Sequence, residues 1–113
     1  MEILEYPHSV IYYECHITVE PVLNERLVIL KGIAERLGFK LANLVKVNEP
    51  VEGKDQFRRD QFMTAHSHPS GIEELCDRMK LLVTRLQTAR YEVHRFKIEG
   101  VVLDSREYKP SGG

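Results

Sequence analysis

The sequence has no long apolar run. Nowhere do its hydrophobic residues approach the roughly 20 consecutive positions that a membrane-spanning helix needs, so no membrane partner is expected. It also lacks an excess of charge of either sign: 16 Lys and Arg against 17 Asp and Glu leave a net charge of −1. That removes the broad basic footprint of a nucleic-acid-binding domain. Cysteine is scarce. Cys15 and Cys76 show no metal-type spacing, and both fall on positions that read as apolar faces, which predicts reduced, buried thiols and a cytoplasmic protein. The opening Met1 to Pro7 has no basic region followed by an apolar stretch, so no secretory signal is expected. Glycine-rich phosphate loops, nucleophile elbows and internal repeats are absent, and low complexity is confined to Ser111-Gly112-Gly113.

What is present suits one small globular domain. The 113 residues leave no room for a second core, and 42% hydrophobic with 29% charged residues is ordinary for a folded chain. From Tyr13 onward the residues alternate, with Tyr13, Cys15, Ile17 and Val19 on one face and Tyr12, Glu14, His16, Thr18 and Glu20 on the other, which predicts a half-buried strand. Pro21 stops it. Asn24 is placed to cap a helix whose Leu27, Leu30, Ile33, Ala34 and Leu37 recur at helical spacing before Gly38. Lys40 to Val47 reads as an edge strand of imperfect alternation, and the polar stretch from Asn48 to Asp60 as a long loop.

The second half repeats the pattern. Gln61 to Ser67 alternates, with Met63, Ala65 and Ser67 against Phe62, Thr64 and His66. Ser70 and Glu73 have the spacing of a capping box before a helix with Ile72, Leu75, Cys76, Met79, Leu82, Val83 and Leu86 inside. Tyr91 to Glu99 alternates again, with Phe96 and Ile98 suited to a core, Arg95, Lys97 and Glu99 opposite, and His94 expected to be partly buried. The order βαββαβ predicts a ferredoxin-like α+β sandwich over residues 1–106, an antiparallel sheet with two helices on one face, followed by a disordered tail over 107–113. Strands one and three should be central, with the fourth beside the first and the second beside the third.

On the sheet face away from the helices this arrangement brings His16 and His66 onto neighbouring strands, about 4.8 Å apart. Around them stand Glu14, Thr18 and Thr64, with Arg95 and Lys97 on the fourth strand. A neutral imidazole can take a proton from an attacking hydroxyl, and a protonated one can give a proton to a leaving oxygen. Cations beside them can neutralise phosphate oxygens. Such chemistry needs no metal and no cofactor. His16-Ile17-Thr18-Val19 resembles the His-x-Thr/Ser-x strand motif of the 2H phosphoesterases. The resemblance implies phosphodiester chemistry with His16 and Thr18 at the phosphate and His66 as the second catalytic histidine. Arg95, Lys97, Glu14 and Thr64 are then candidates for substrate contact. The second motif departs from the family pattern, because His66-Ser67-His68 ends in His where Thr or Ser belongs. That family also builds its cleft from two lobes, and this chain supplies one.

A reading from another class is a non-catalytic module whose open sheet face packs on a second copy or another protein, with Tyr12 and Phe62 seeding the contact. A homodimer and a phosphate-containing small molecule are therefore the partners expected. No residues have the spacing of a metal site.

Overall fold

A computed structural model of the chain describes residues 9–42 and 60–102. The elements run β1 (Tyr12–Val19), α1 (Asn24–Arg36), β2 (Lys40–Leu41), β3 (Gln61–Ser67), a 3-10 turn (Pro69–Gly71), α2 (Ile72–Thr88) and β4 (Val93–Val101). The four strands form one antiparallel sheet in the order β2-β3-β1-β4. The protein is thus of the α+β class, with β1 and β3 at the centre. Among the described residues no helix is long and apolar enough to cross a membrane.

Alternation decides which face is buried. Cys15, Ile17 and Val19 of β1 and Met63 and Ala65 of β3 are buried, while the residues between them look away. Onto these pack Leu30 and Ala34 of α1 and Leu75, Leu82 and Leu86 of α2, all fully buried. Both helices contribute to one core, and α1 also packs against α2. The opposite sheet face is covered by neither helix.

Several local expectations meet a different physical outcome. Asn24 is the first residue of α1 and sits in the left-handed region (φ 55°), while Leu23 before it makes no side-chain capping bond. The Ser70–Glu73 box is replaced by His68, whose Nδ1 accepts the Ser70 backbone N–H at 3.3 Å and stands 3.0 Å from its hydroxyl. A 3-10 turn therefore precedes α2, which starts at Ile72. Phe96 shares the core face with its cross-strand partner Ile17 yet is 51% exposed, because β4 is the sheet edge among the described residues. His94 is exposed and belongs to a β-bulge: Thr18 pairs with Arg95 but Val19 with Val93, leaving His94 as the extra residue. Residues 43–47 of the expected second strand, 48–59 of the loop and the tail 107–113 lie outside the described residues.

Cys15 and Cys76 are both free, Cys15 buried and Cys76 half-buried. Burial, with Cys76 nearby, pushes the Cys15 thiol up to about 11. It is protonated at neutral pH and is a core residue, not a nucleophile.

Candidate functional site

The pairing of β1 with β3 sets the open face. In an antiparallel pair, residues directly opposite share a side of the sheet. Glu14 lies opposite His66, His16 opposite Thr64, and Thr18 opposite Phe62. On the other side of β1, His16 faces Lys97, Thr18 faces Arg95 and Glu14 faces Glu99. The histidines are therefore diagonal neighbours, and the side chain between them is Glu14.

Glu14 joins the two rings. One carboxylate oxygen, Oε1, pairs with Nε2 of His16, and the other, Oε2, lies 2.8 Å from Nε2 of His66. Thr64 completes the array from β3, with Oγ1 at 3.1 Å from Nδ1 of His16. His16 thus has both ring nitrogens engaged, one by a carboxylate and one by a hydroxyl. The His66 ring meets Tyr12 edge-on, with centroids 5.4 Å apart and planes at 67°. Burial works against ionisation of Glu14, but the hydrogen bonds from His66 and His16 and the charges of those rings outweigh it, so its carboxyl lies below the ordinary value.

The cations lie on the β4 side. Lys97 Nζ is 3.0 Å from Glu99 Oε1, and that same oxygen is 4.0 Å from His16 Nε2. Glu99, paired with Lys97, thus stands beside the histidine array, farther from His16 than Glu14 does. Arg95 makes no ion pair among the described residues. His16, Thr18, Phe62, Arg95 and Lys97 together line a shallow cavity of about 220 Å³. The lining thus combines a histidine, a threonine, two cationic residues and Phe62, which is 45% exposed.

The sites named from sequence divide accordingly. His16, Thr18, Arg95 and Lys97 meet in the cavity. Glu14, Thr64 and His66 form the adjoining network behind His16 and are not part of that lining. Ser67 and His68 are not on this network: the Ser67 hydroxyl donates to the His68 carbonyl at 3.1 Å, and His68 caps the turn before α2. Two features escaped sequence reasoning. The bridging role of Glu14 depends on register, which alternation does not specify. The place of Phe62 in the cavity follows from its position opposite Thr18 and depends on register in the same way.

A second cluster adjoins the cavity end of the sheet, with His94 next to Arg95 in sequence and Asp60 two residues before Phe62. His94 Nδ1 is 3.1 Å from Asp60 Oδ2, and its Nε2 is 3.6 Å from Glu92 Oε1. Among the described residues no group of three or more His, Cys, Asp or Glu side chains is arranged to hold a metal ion. No family model, curated protein or solved structure matches this chain.

Proposed function

We propose that the open sheet face is a phosphate-ester site and that His16 performs acid–base chemistry on a phosphodiester. The observation that carries this reading is the cavity in which His16 and Thr18 stand against Arg95 and Lys97. Two cations suit the two non-bridging oxygens of a phosphodiester, and the Thr18 hydroxyl can donate a further hydrogen bond to one of them. In the reaction, one imidazole takes the proton of an attacking hydroxyl or water as its oxygen bonds to phosphorus. The imidazole at the cavity is His16, since His66 lies outside its lining, and once protonated by that transfer His16 supplies a proton to the leaving oxygen as its bond to phosphorus breaks. The charges agree: with neutral histidines, Glu14 and Glu99 offset Arg95 and Lys97, and one proton on either ring makes the face cationic. The reading places this chemistry on a ferredoxin-like domain in the cytoplasm. The strand order β2-β3-β1-β4, the shared helix face and the two free thiols support that setting.

The test is turnover of a panel of cyclic and linear phosphodiesters by the wild type, His16→Ala and Arg95→Ala. Loss of a proton-transfer group predicts a fall of roughly 100-fold or more in kcat for His16→Ala. Arg95→Ala should raise KM, since it removes a ligand contact. An inert wild type across the panel refutes the enzyme reading.

A second reading, a homodimer or partner complex built on the same face, draws on a different observation: Phe62 is 45% exposed there, on the same face as Tyr12. A wild type that self-associates with rising concentration, and a Phe62→Asp variant that stays monomeric in analytical ultracentrifugation, would support it. A wild type monomeric at high concentration removes the homodimer.

A further inference from the structure

The cavity contains His16 but not His66, and among the described residues the one side chain bonded to both rings is Glu14. Its two oxygens are divided between them, one to each Nε2. A carboxylate accepts and does not donate, so both Nε2 atoms carry the proton in these bonds. Nδ1 of His16 is then the acceptor for the Thr64 hydroxyl in the neutral ring. The other charged groups near His16 do not compete on equal terms. Glu99 is 4.0 Å away and tied to Lys97 at 3.0 Å, and Lys97, which faces His16 across β1 and β4, has no lone pair to offer. Around His66, Glu14 lies directly opposite and Tyr12 meets the ring edge.

We propose that Glu14 is the positioning residue of the open face, a carboxylate that holds the imidazoles of His16 and His66 together through their Nε2–H groups and so makes one unit of two side chains on different strands. This rests on the reading of the face as a phosphate-ester site but reaches past it. Glu14 does not line the cavity and is not a ligand contact. Its effect on chemistry is transmitted by the orientation of His16, whose ring it holds at Nε2 while Thr64 holds Nδ1.

The experiment is imidazole nitrogen and ring-proton NMR on the full chain, without ligand and at a pH where the rings are neutral. A ring N–H that is held in a hydrogen bond exchanges slowly and moves downfield, whereas a free one is lost to exchange with water. In the wild type, Nε2–H signals are expected from both His16 and His66, each assigned by its own His→Ala variant. In Glu14→Gln the carboxamide presents one acceptor oxygen and one donor nitrogen, so at least one signal should disappear. In Glu14→Ala the His66 signal should vanish whether or not Glu99 captures His16. His94, whose Nδ1–H is bonded to Asp60, serves as the internal control whose signal should not change. Backbone amide spectra report whether each variant is folded, and either variant suffices.

Retention of both signals in a folded Glu14→Gln or Glu14→Ala protein overturns the proposal, as does a wild type in which neither ring proton is observed. This arm uses no substrate, so it stands apart from the phosphodiester panel. An inert panel with the signals behaving as stated refutes the phosphoester reading alone. With an active ester in hand, Glu14→Gln should lower kcat by up to about 100-fold with KM little changed, the pattern of a misplaced catalytic group. Arg95→Ala should show the opposite split. Glu14→Asp, which restores two acceptor oxygens on a shorter stem, should recover part of the lost kcat.

Discussion

His94 and Glu14 are both titrating groups held by partners, and both stabilise the fold with opposite dependence on pH. The hydrogen bond that His94 donates to Asp60, opposed by desolvation and aided by the charges of Asp60, Glu92 and Glu20, lifts the His94 pKa above its ordinary value of 6.5. A folded pKa above the unfolded one means that His94 stabilises the fold fully below the unfolded pKa and loses that contribution as pH rises through the folded pKa. For Glu14 the burial that opposes ionisation is outweighed by the His66 and His16 hydrogen bonds, so its pKa falls below 4.5. Its contribution is present above the unfolded pKa and is lost as pH falls through the folded one. Both are fully present between the two ordinary values, 4.5 for Glu14 and 6.5 for His94, at mildly acidic pH. Asp60→Asn should lower the His94 midpoint toward 6.5 in an NMR titration while leaving the network around Glu14 unmoved. In denaturant unfolding, the stability difference between this variant and the wild type should be largest below the His94 midpoint and shrink above it. A His94 midpoint unchanged by Asp60→Asn would assign the shift to Glu92 and Glu20 instead.

At the scale of elements, the junction between α1 and β2 shows how a turn is held by a distant side chain. Gly38 ends α1 at φ 76°, in the left-handed region where a Cβ costs about 1–2 kcal/mol. A Cβ there would also stand 2.7 Å from Nη1 of Arg78, the atom that donates to the Leu37 carbonyl at 3.1 Å. The guanidinium is the far end of a flexible side chain and can give way, so backbone strain is the main cost and loss of the Leu37 bond adds to it. Gly38→Ala should therefore lower the thermal midpoint by several degrees, and Arg78→Ala by less. Equal losses from the two would mean that the guanidinium contact, not the backbone, governs the junction. This element was legible before the structure because glycine after a helical run has one strong explanation. The faces of β1 and β3 were legible for a similar reason, since Cys15, Ile17 and Val19 alternate with polar neighbours without a break. The register was not. Alternation assigns His16 and His66 to one face but leaves open whether they are opposite or diagonal, and hence whether Glu14 stands between them. The bulge at His94 was hidden for the same reason, since one unpaired residue leaves no mark on a run of residues that all suit a strand.

For the molecule as a whole, the core and the candidate site are two sides of the same strands. Ile17 is fully buried under the helices, and its chain neighbours His16 and Thr18 line the cavity on the other side. Leu82 of α2 is equally buried but belongs to the helical layer, separated from the cavity by the thickness of the sheet. Truncating either to Ala removes comparable apolar volume and should cost about 2–5 kcal/mol, depending on how far the neighbours collapse into the space. Stability alone does not distinguish the two positions, but their effect on the open face should. Loss of the Ile17 side chain lets β1 shift where it carries Glu14, His16 and Thr18, so the ring signals of His16 and His66 should move. Loss of Leu82 is absorbed between α2 and the sheet, and those signals should stay in place while the unfolding midpoint falls. Chemical denaturation and imidazole spectra of the two folded variants read both effects. Equal perturbation of the histidines by both substitutions would mean that the sheet transmits packing changes from the helical layer, and that the geometry of the open face depends on the whole core and not on β1 alone.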